Sequence, residues 1–441
     1  MPKTNTENLK EKSIKKEVPT SLKGTRDHVG DEYYRFQGMF EKAQEVACYY
    51  GFKPIETPVI EKLDVFTSAI GNGTDIVEKE MYAFSIKGGD KIALRPEYTA
   101  SIMRSYIENG MQTLPQPVLL YAYGQTFRHE NPQRGRLREF RQFDLEILGT
   151  EKSIADALII RTLYTILEEF GFKDLIVDIN SMGDRDTRNS YVKDLTNYYK
   201  KNISGLCPDC VERIKTNPLR LLDCKKEDCQ KYKENAPQSI AYLSSDARKH
   251  FKEVLQYLEE MNIPYRINHT LVRGFNYYNR TVFEVIKTDV DDKGNEKEIS
   301  ICGGGRYDPL AKDMGSKKDV PAVGTGMSFE RIMLFPECRD LSPRILKTPK
   351  VYFIQLGFDA KLKSLTVIEI LRKAKIPVHQ NLSKDSLGVQ LSMAEKMNIP
   401  YCIIFGQKEA VDGTVIVRKM AERHQDVVKI TQLAEYLKNI K

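Results

Sequence analysis

The 441-residue chain has no run of 18 apolar residues, which excludes a membrane-spanning helix. Its opening residues, MPKTNTENLKEKSIKKEVPT, lack the apolar centre of a secretory signal and the acid-free pattern of a transit peptide. They also have too little apolar surface to offset chain entropy, so residues 1–19 are expected to form a disordered tail. Only six histidines occur, scattered along the chain, which argues against a catalytic transition-metal centre. No internal repeat is found, which sets aside a repeat architecture. What is present fits two or three domains: 41% hydrophobic residues can fill several cores at this length. A net charge of +7 suits a polyanionic partner without requiring one. Eight cysteines without a signal peptide point to a reducing compartment, the cytoplasm, where thiols stay free or bind metal.

Phe36, Phe40, Ala43, Ala47 and Tyr50 recur in steps of four and three, so a helix is predicted over 33–50, stopped by Gly51. FKPIETPVI follows, with Pro54 and Pro58, which a strand tolerates at an edge or interface. Val118–Tyr123 and Arg138–Leu148 read as strands joined by the arginine-laden FRHENPQRGR. A polar, lysine-rich block over about 184–262 carries four cysteines and reads as an inserted, mostly helical module. Strands resume at Val282–Ile286 and Ile299, and a linker is expected over 337–349, where proline is frequent and apolar periodicity is absent. Residues 350–441 then alternate strand, helix, strand, helix, strand, strand, helix, which predicts a small α/β domain.

In REFRQFDLEILG, Gln142, Asp144 and Glu146 share one strand face, and Phe143, Leu145 and Ile147 the other. Alternation alone describes a solvent-washed sheet face equally well. Just before it, Arg128, Arg134, Arg136 and Arg138 supply guanidinium forks suited to phosphate oxygens. In AVGTGMSFERIML, Gly324 and Gly326 permit close backbone approach and Arg331 follows on a helix, although a plain strand-to-helix turn has the same composition. Cys207, Cys210, Cys224 and Cys229 form C-x2-C-x13-C-x4-C, and two readings stay open: a structural zinc site or four reduced thiols.

FRHE followed by R-x-R and R-x-F-x-Q-F resembles the second signature motif of class II aminoacyl-tRNA synthetases, and AVGTGMSFERIML the third. LVRGFNYYNRTVFEV and ICGGGRYD resemble the two signatures of bacterial-type histidyl-tRNA synthetases, so the resemblance covers nearly the whole chain. It implies an α+β fold: a class II antiparallel-sheet catalytic core over 20–336, holding the insertion, then an anticodon-binding domain. It implies ATP-dependent activation of L-histidine to histidyl-adenylate, with Mg2+ accompanying ATP, and transfer to the tRNA for histidine. A homodimer with Pro58 at its interface is implied as well, with no role for membrane or DNA.

By the same resemblance Arg128 holds the ATP α-phosphate, Glu130, Arg136 and Arg331 bind the rest of ATP, and Arg273 is a further catalytic arginine. Glu97, Thr99 and Gln142 take the α-ammonium and carboxylate of histidine, while Asp144, Glu146, Tyr277, Tyr278 and Tyr307 form the imidazole pocket. The chain departs from the family at Asn276, where aspartate is common, and at Tyr98, where glycine is frequent. NPLRLLDCK resembles the insertion domain of bacterial members, which need not carry metal. Two other relatives share parts of this pattern: a regulatory protein of histidine biosynthesis, which lacks the last domain, and the synthetases for threonine, proline or glycine.

Overall fold

A computed structural model describes residues 18–71, 74–290, 296–345, 347, 349–382 and 386–440, so the expected tail up to residue 17 lies outside the described residues. The chain divides into two units, Met1–Pro343 and Arg344–Lys441. In the first, eight strands form one sheet in the order Lys53–Pro54, Val118–Phe127, Glu139–Leu148, Ala322–Ser328, Glu296–Arg306, Asn279–Val290, Leu175–Ser181 and Tyr265–Ile267. Only the two outermost pairs are parallel. Pro54 sits on the marginal strand, where a residue without an amide proton costs no ladder bond.

Period-2 alternation decides which face each side chain takes. Phe143, Leu145 and Ile147 pack into a core with Phe36, Ile159, Leu163 and Phe329, supplied by helices on that face. The helix Asp31–Tyr49 buries Phe36, Ala43 and Ala47 of the stripe expected from the sequence together with Met39 and Val46, while Phe40 and Tyr50 are only partly buried. The polar block resolves into helices Arg185–Lys201, Pro208–Thr216, Glu227–Lys233 and Ser245–Glu260. The last of these differs from the rest. Its Phe251, Val254 and Leu258 enter the main core, whereas the stretch before it packs Leu219, Leu221, Cys210 and Cys229 into a second cluster. The polar composition hid one amphipathic helix that belongs with the main sheet.

The second unit is a five-stranded sheet, ordered Val378–Gln380, Val351–Gln355, Tyr401–Phe405, Thr414–Lys419 and Gln425–Lys429, with helices that include Phe358–Lys373 and Leu387–Lys396. Strand Gln425–Lys429 and the six-residue helix Gln407–Asp412 add to the order expected from the sequence. That strand buries only Val428, so it carries no alternating apolar signal to read.

Candidate active site

Sheet register builds the floor of the site. Glu146 lies opposite Gly324 and Asp144 opposite Gly326 on neighbouring strands. A Cβ at Gly324 would strike the Glu146 carboxyl, and one at Gly326 would strike Gln142 and Asp144. The space these glycines open is therefore taken by side chains of the adjoining strand. Asp144 is 2% exposed and Glu146 0%, so this polar face is not washed by solvent. The three glycines of GGGR lie within a strand rather than a turn, and a Cβ at Gly303 or Gly305 would crowd Arg273 or Tyr278.

Glu146 accepts hydrogen bonds from Thr99 Oγ1 at 2.6 Å and from the Tyr307 hydroxyl. Burial pushes its pKa up to about 8 against the pull of those two donors. Burial, then the neighbouring charges of Glu146 and Glu97, push Asp144 well above the usual carboxylate range. Gln142 Nε2 donates to Asp144 Oδ1 at 2.9 Å. Yet Asp144 Oδ2, Gln142 Oε1 and Thr325 Oγ1 are buried without a hydrogen-bond partner. Each such atom costs roughly 1–3 kcal/mol, a penalty that a bound polar molecule would relieve. Glu97, also buried, accepts from the Thr99 and Ala100 amides at 2.6 and 2.8 Å, at the start of helix Thr99–Glu108. Burial raises its pKa, and those amides oppose the rise.

Arginines make the opposite wall. Arg128, Arg273 and Arg331 line a cavity of about 180 Å³ together with Glu97, Thr99, Gln142, Asp144, Tyr277 and Tyr278. A wider cavity of about 750 Å³ shares the three arginines and adds Glu130 and Arg136. Arg128 Nε donates to the Pro96 carbonyl at 2.9 Å, with its guanidinium 5.3 Å from the Phe140 ring centre. Arg273 Nη1 donates to Glu284 Oε1 at 2.5 Å, while its buried Nε has no partner. Arg136 lies 3.6 Å from Glu130. Among the described residues neither Arg128 nor Arg331 has a carboxylate in ion-pair range. Burial, then the charge of Arg136, lowers the pKa of Arg331, as expected for a cation waiting for an anion. Acids and arginines lining one cleft can hold an ammonium group and a polyanion side by side.

Nine of the expected site residues thus line the smaller cavity, and Glu130 and Arg136 the larger. Glu146 and Tyr307 form the layer beneath, bonded to each other rather than lining either space. The ring of Tyr277 lies 4.6 Å from that of Tyr278 and 5.7 Å from that of Tyr307, so the aromatic group is continuous. Tyr98 is 1% exposed under the Arg95 guanidinium, and its hydroxyl lies against Gly124, where a Cβ would block it. Asn276 accepts a hydrogen bond from Asn217 Nδ2 at 2.7 Å, which ties the tyrosine segment to the inserted helices.

Sequence reasoning did not single out Arg306, Asp156 or Glu284. Arg306 is fully buried and donates to Asp156, to Asp308 Oδ1 at 3.0 Å and to the Thr150 carbonyl at 2.9 Å. Although burial opposes ionisation, Arg306 holds Asp156 down to about 2. This network anchors the residue next to Tyr307. Its one sequence signal was a charged residue in a strand of buried neighbours, and the same holds for Glu284, the counter-ion of Arg273.

The Sγ atoms of Cys207, Cys210, Cys224 and Cys229 lie within 4.8 Å of one another, and none is in a disulfide.

Residues 82–335 match the family model of the class II tRNA synthetase core domain (G, H, P, S and T), and residues 350–440 match an anticodon binding domain. A histidine–tRNA ligase of Dehalococcoides mccartyi is 38% identical over 413 residues, covering 94% of this chain and 97% of the relative. One from Fervidobacterium nodosum is 40% identical over 405 residues, covering 92% and 94%. The apo crystal structure of S. aureus histidyl-tRNA synthetase superposes with a TM-score of 0.77 at 28% identity, over 96% of this chain and all of that one.

Proposed function

The chain belongs to the histidine–tRNA ligase family of class II synthetases, which activate L-histidine with ATP and pass the histidyl group to its tRNA; from that premise we propose how its residues do so. The observation that carries the assignment is the set of unpartnered buried acceptors, Asp144 Oδ2, Gln142 Oε1 and Thr325 Oγ1, beneath three converging guanidiniums. Glu97, Thr99 and Gln142 take the α-ammonium and carboxylate of histidine. Its imidazole enters among Asp144, Tyr277 and Tyr278, and reaches Glu146 when the ring displaces Thr99 or Tyr307 from that carboxyl.

The histidine carboxylate then attacks the α-phosphorus of ATP, and the bond to the pyrophosphate oxygen breaks. A carboxylate is anionic at neutral pH, so no general base is needed. The barrier is electrostatic, because an anion approaches a polyanion and charge builds on the non-bridging oxygens. Arg128 and Arg273 answer that charge, and Arg136, Glu130 and Arg331 hold the remainder of ATP. Glu80, Glu130 and Glu284 line the same cleft, and hard carboxylate oxygens beside phosphates suit Mg2+. In the second step a terminal ribose hydroxyl of the tRNA attacks the activated carbonyl and AMP leaves.

The domain plan proposed with this mechanism is a catalytic domain over 20–336 with an insertion over about 184–262, a linker over 337–349 and a tRNA-reading domain over 350–441. A homodimer belongs to the same proposal: Ile60 and Phe84 are exposed on a three-stranded sheet near Pro58, with exposed Ile86 just beyond it. So does a cytoplasmic site of action, which eight unpaired thiols favour. Among the described residues no helix is long and apolar enough to cross a membrane. The four clustered cysteines are proposed to hold structural zinc.

Exchange of labelled pyrophosphate into ATP tests the reading. It is expected with histidine and not with threonine, proline or glycine. No exchange with any amino acid would leave only a histidine-binding regulator and contradict the proposal.

A further inference from the structure

We propose that Cys207, Cys210, Cys224 and Cys229 form a four-thiolate zinc centre that braces the outer wall of the nucleotide cleft. A tetrahedral zinc with sulphurs at about 2.3 Å requires neighbouring sulphurs about 3.8 Å apart. Cys207 Sγ and Cys224 Sγ are 3.9 Å apart, and all four sulphurs fall within 4.8 Å. Cys210, Cys224 and Cys229 are 0%, 5% and 2% exposed and Cys207 is half-buried, so three of the four sulphurs are enclosed as a structural site requires.

The Cys207 end of the group offers thiolates a helix start. Cys207 precedes the helix Pro208–Thr216 and its amide donates to Cys229 Sγ at 3.3 Å. Two thiolates are thereby placed at a helix start, where the peptide dipole favours negative charge. Four thiolates around Zn2+ carry a net charge of −2, and Lys225 and Lys226 directly follow Cys224. On binding, each sulphur–zinc bond replaces an S–H bond and its proton passes to solvent. The helices here run to nine and seven residues, too short to persist without a shared core, and the clustered thiols sit where a metal would supply one.

The bracing role follows from the loop between the second and third cysteines. Arg213 and Arg220 both reach Asp75, at 3.5 and 3.3 Å, and Asn217 reaches Asn276 beside the tyrosine pair. The same stretch lines the 750 Å³ cavity opposite Arg128 and Arg331. A metal that ties Cys210 to Cys224 closes this loop and fixes three links to the cleft. The bracing half rests on the cleft being the nucleotide site, whereas the metal half does not.

Element analysis of full-length protein purified without chelator is expected to give one zinc per chain. Replacement by Co2+ alone is expected to give the visible absorption of tetrahedral cobalt thiolate, lost in Cys224→Ser. That readout on the parent protein stands even where the variant fails to fold. Absence of zinc together with absence of the cobalt spectrum overturns the site, leaving four reduced thiols. Stripping the metal is expected to raise KM for ATP about tenfold, with a smaller change in KM for histidine; an unchanged KM for ATP overturns the bracing. Zinc without histidine-dependent exchange would instead contradict the ligase reading and leave the metal site standing.

Discussion

On the floor of the cleft Glu97 and Glu146 already hold two hydrogen bonds each, whereas among the described residues Arg128 and Arg331, which line the same cleft, have no carboxylate within ion-pair range. In the proposed mechanism the floor selects, because its polar groups are fixed by neighbours and reward only a ligand that completes them. The wall, in the same proposed mechanism, acts on charge, because guanidiniums held in place before the reaction need no reorganisation as the transition state forms. The two surfaces should therefore fail in different ways when damaged.

Arg128→Ala breaks the wall and has the largest expected effect. Loss of an arginine at a phosphoryl transition state is worth about 10³ to 10⁵ in rate, and single-turnover adenylate formation measures it. A loss below tenfold would remove Arg128 from the α-phosphate. Arg306→Ala attacks the support beneath the floor. Asp156 would lose its buried guanidinium and keep only His250, 3.2 Å away, which should cost about 3–5 kcal/mol of stability, seen as a lower denaturant midpoint. Glu146→Gln acts on the floor itself. With its pKa raised to about 8, Glu146 is mostly neutral near pH 7, and a neutral hydrogen bond is worth roughly 0.5–1.5 kcal/mol, so KM for histidine should rise about 2- to 10-fold while KM for ATP moves little. An equal rise in both would blur the distinction between the two surfaces.

The smallest effect is on stability against pH. The pKa of Glu146 is raised from 4.5 to about 8 by burial, so the folded protein binds the proton more tightly than the unfolded chain. Its contribution is full below pH 4.5 and is lost as pH rises through 8. Glu146→Gln does not titrate, so the Tm of the variant relative to the parent should climb across that window. A constant difference would show that Glu146 does not carry the raised pKa.

Much of the wall could be read from the chain, because arginines in FRHENPQRGR and FERIML stand in short local motifs. The pairing of Asp144 with Glu146 was legible from strand alternation, but its burial was not. Burial depends on the strand of Gly324 and Gly326 lying alongside, some 180 residues later in the chain. The Arg306 to Asp156 bond and the place of Tyr98 beneath Gly124 likewise join segments with no local signal of each other. Helix Ser245–Glu260, within the block read as an insertion, is mostly polar, and its packing into the main core rests on Phe251, Val254 and Leu258, which no local signal sets apart.

Arg273 lies where the two surfaces meet, bound to Glu284 and 5.8 Å from the centre of the Tyr278 ring. Pairing single-turnover adenylate formation with calorimetric histidine binding in Arg273→Ala therefore tests the division of labour most directly. The account predicts a rate loss of about 10³ or more, with histidine affinity changed by less than about threefold. A variant that binds histidine as weakly as it reacts, or that reacts at the parent's rate, would contradict it.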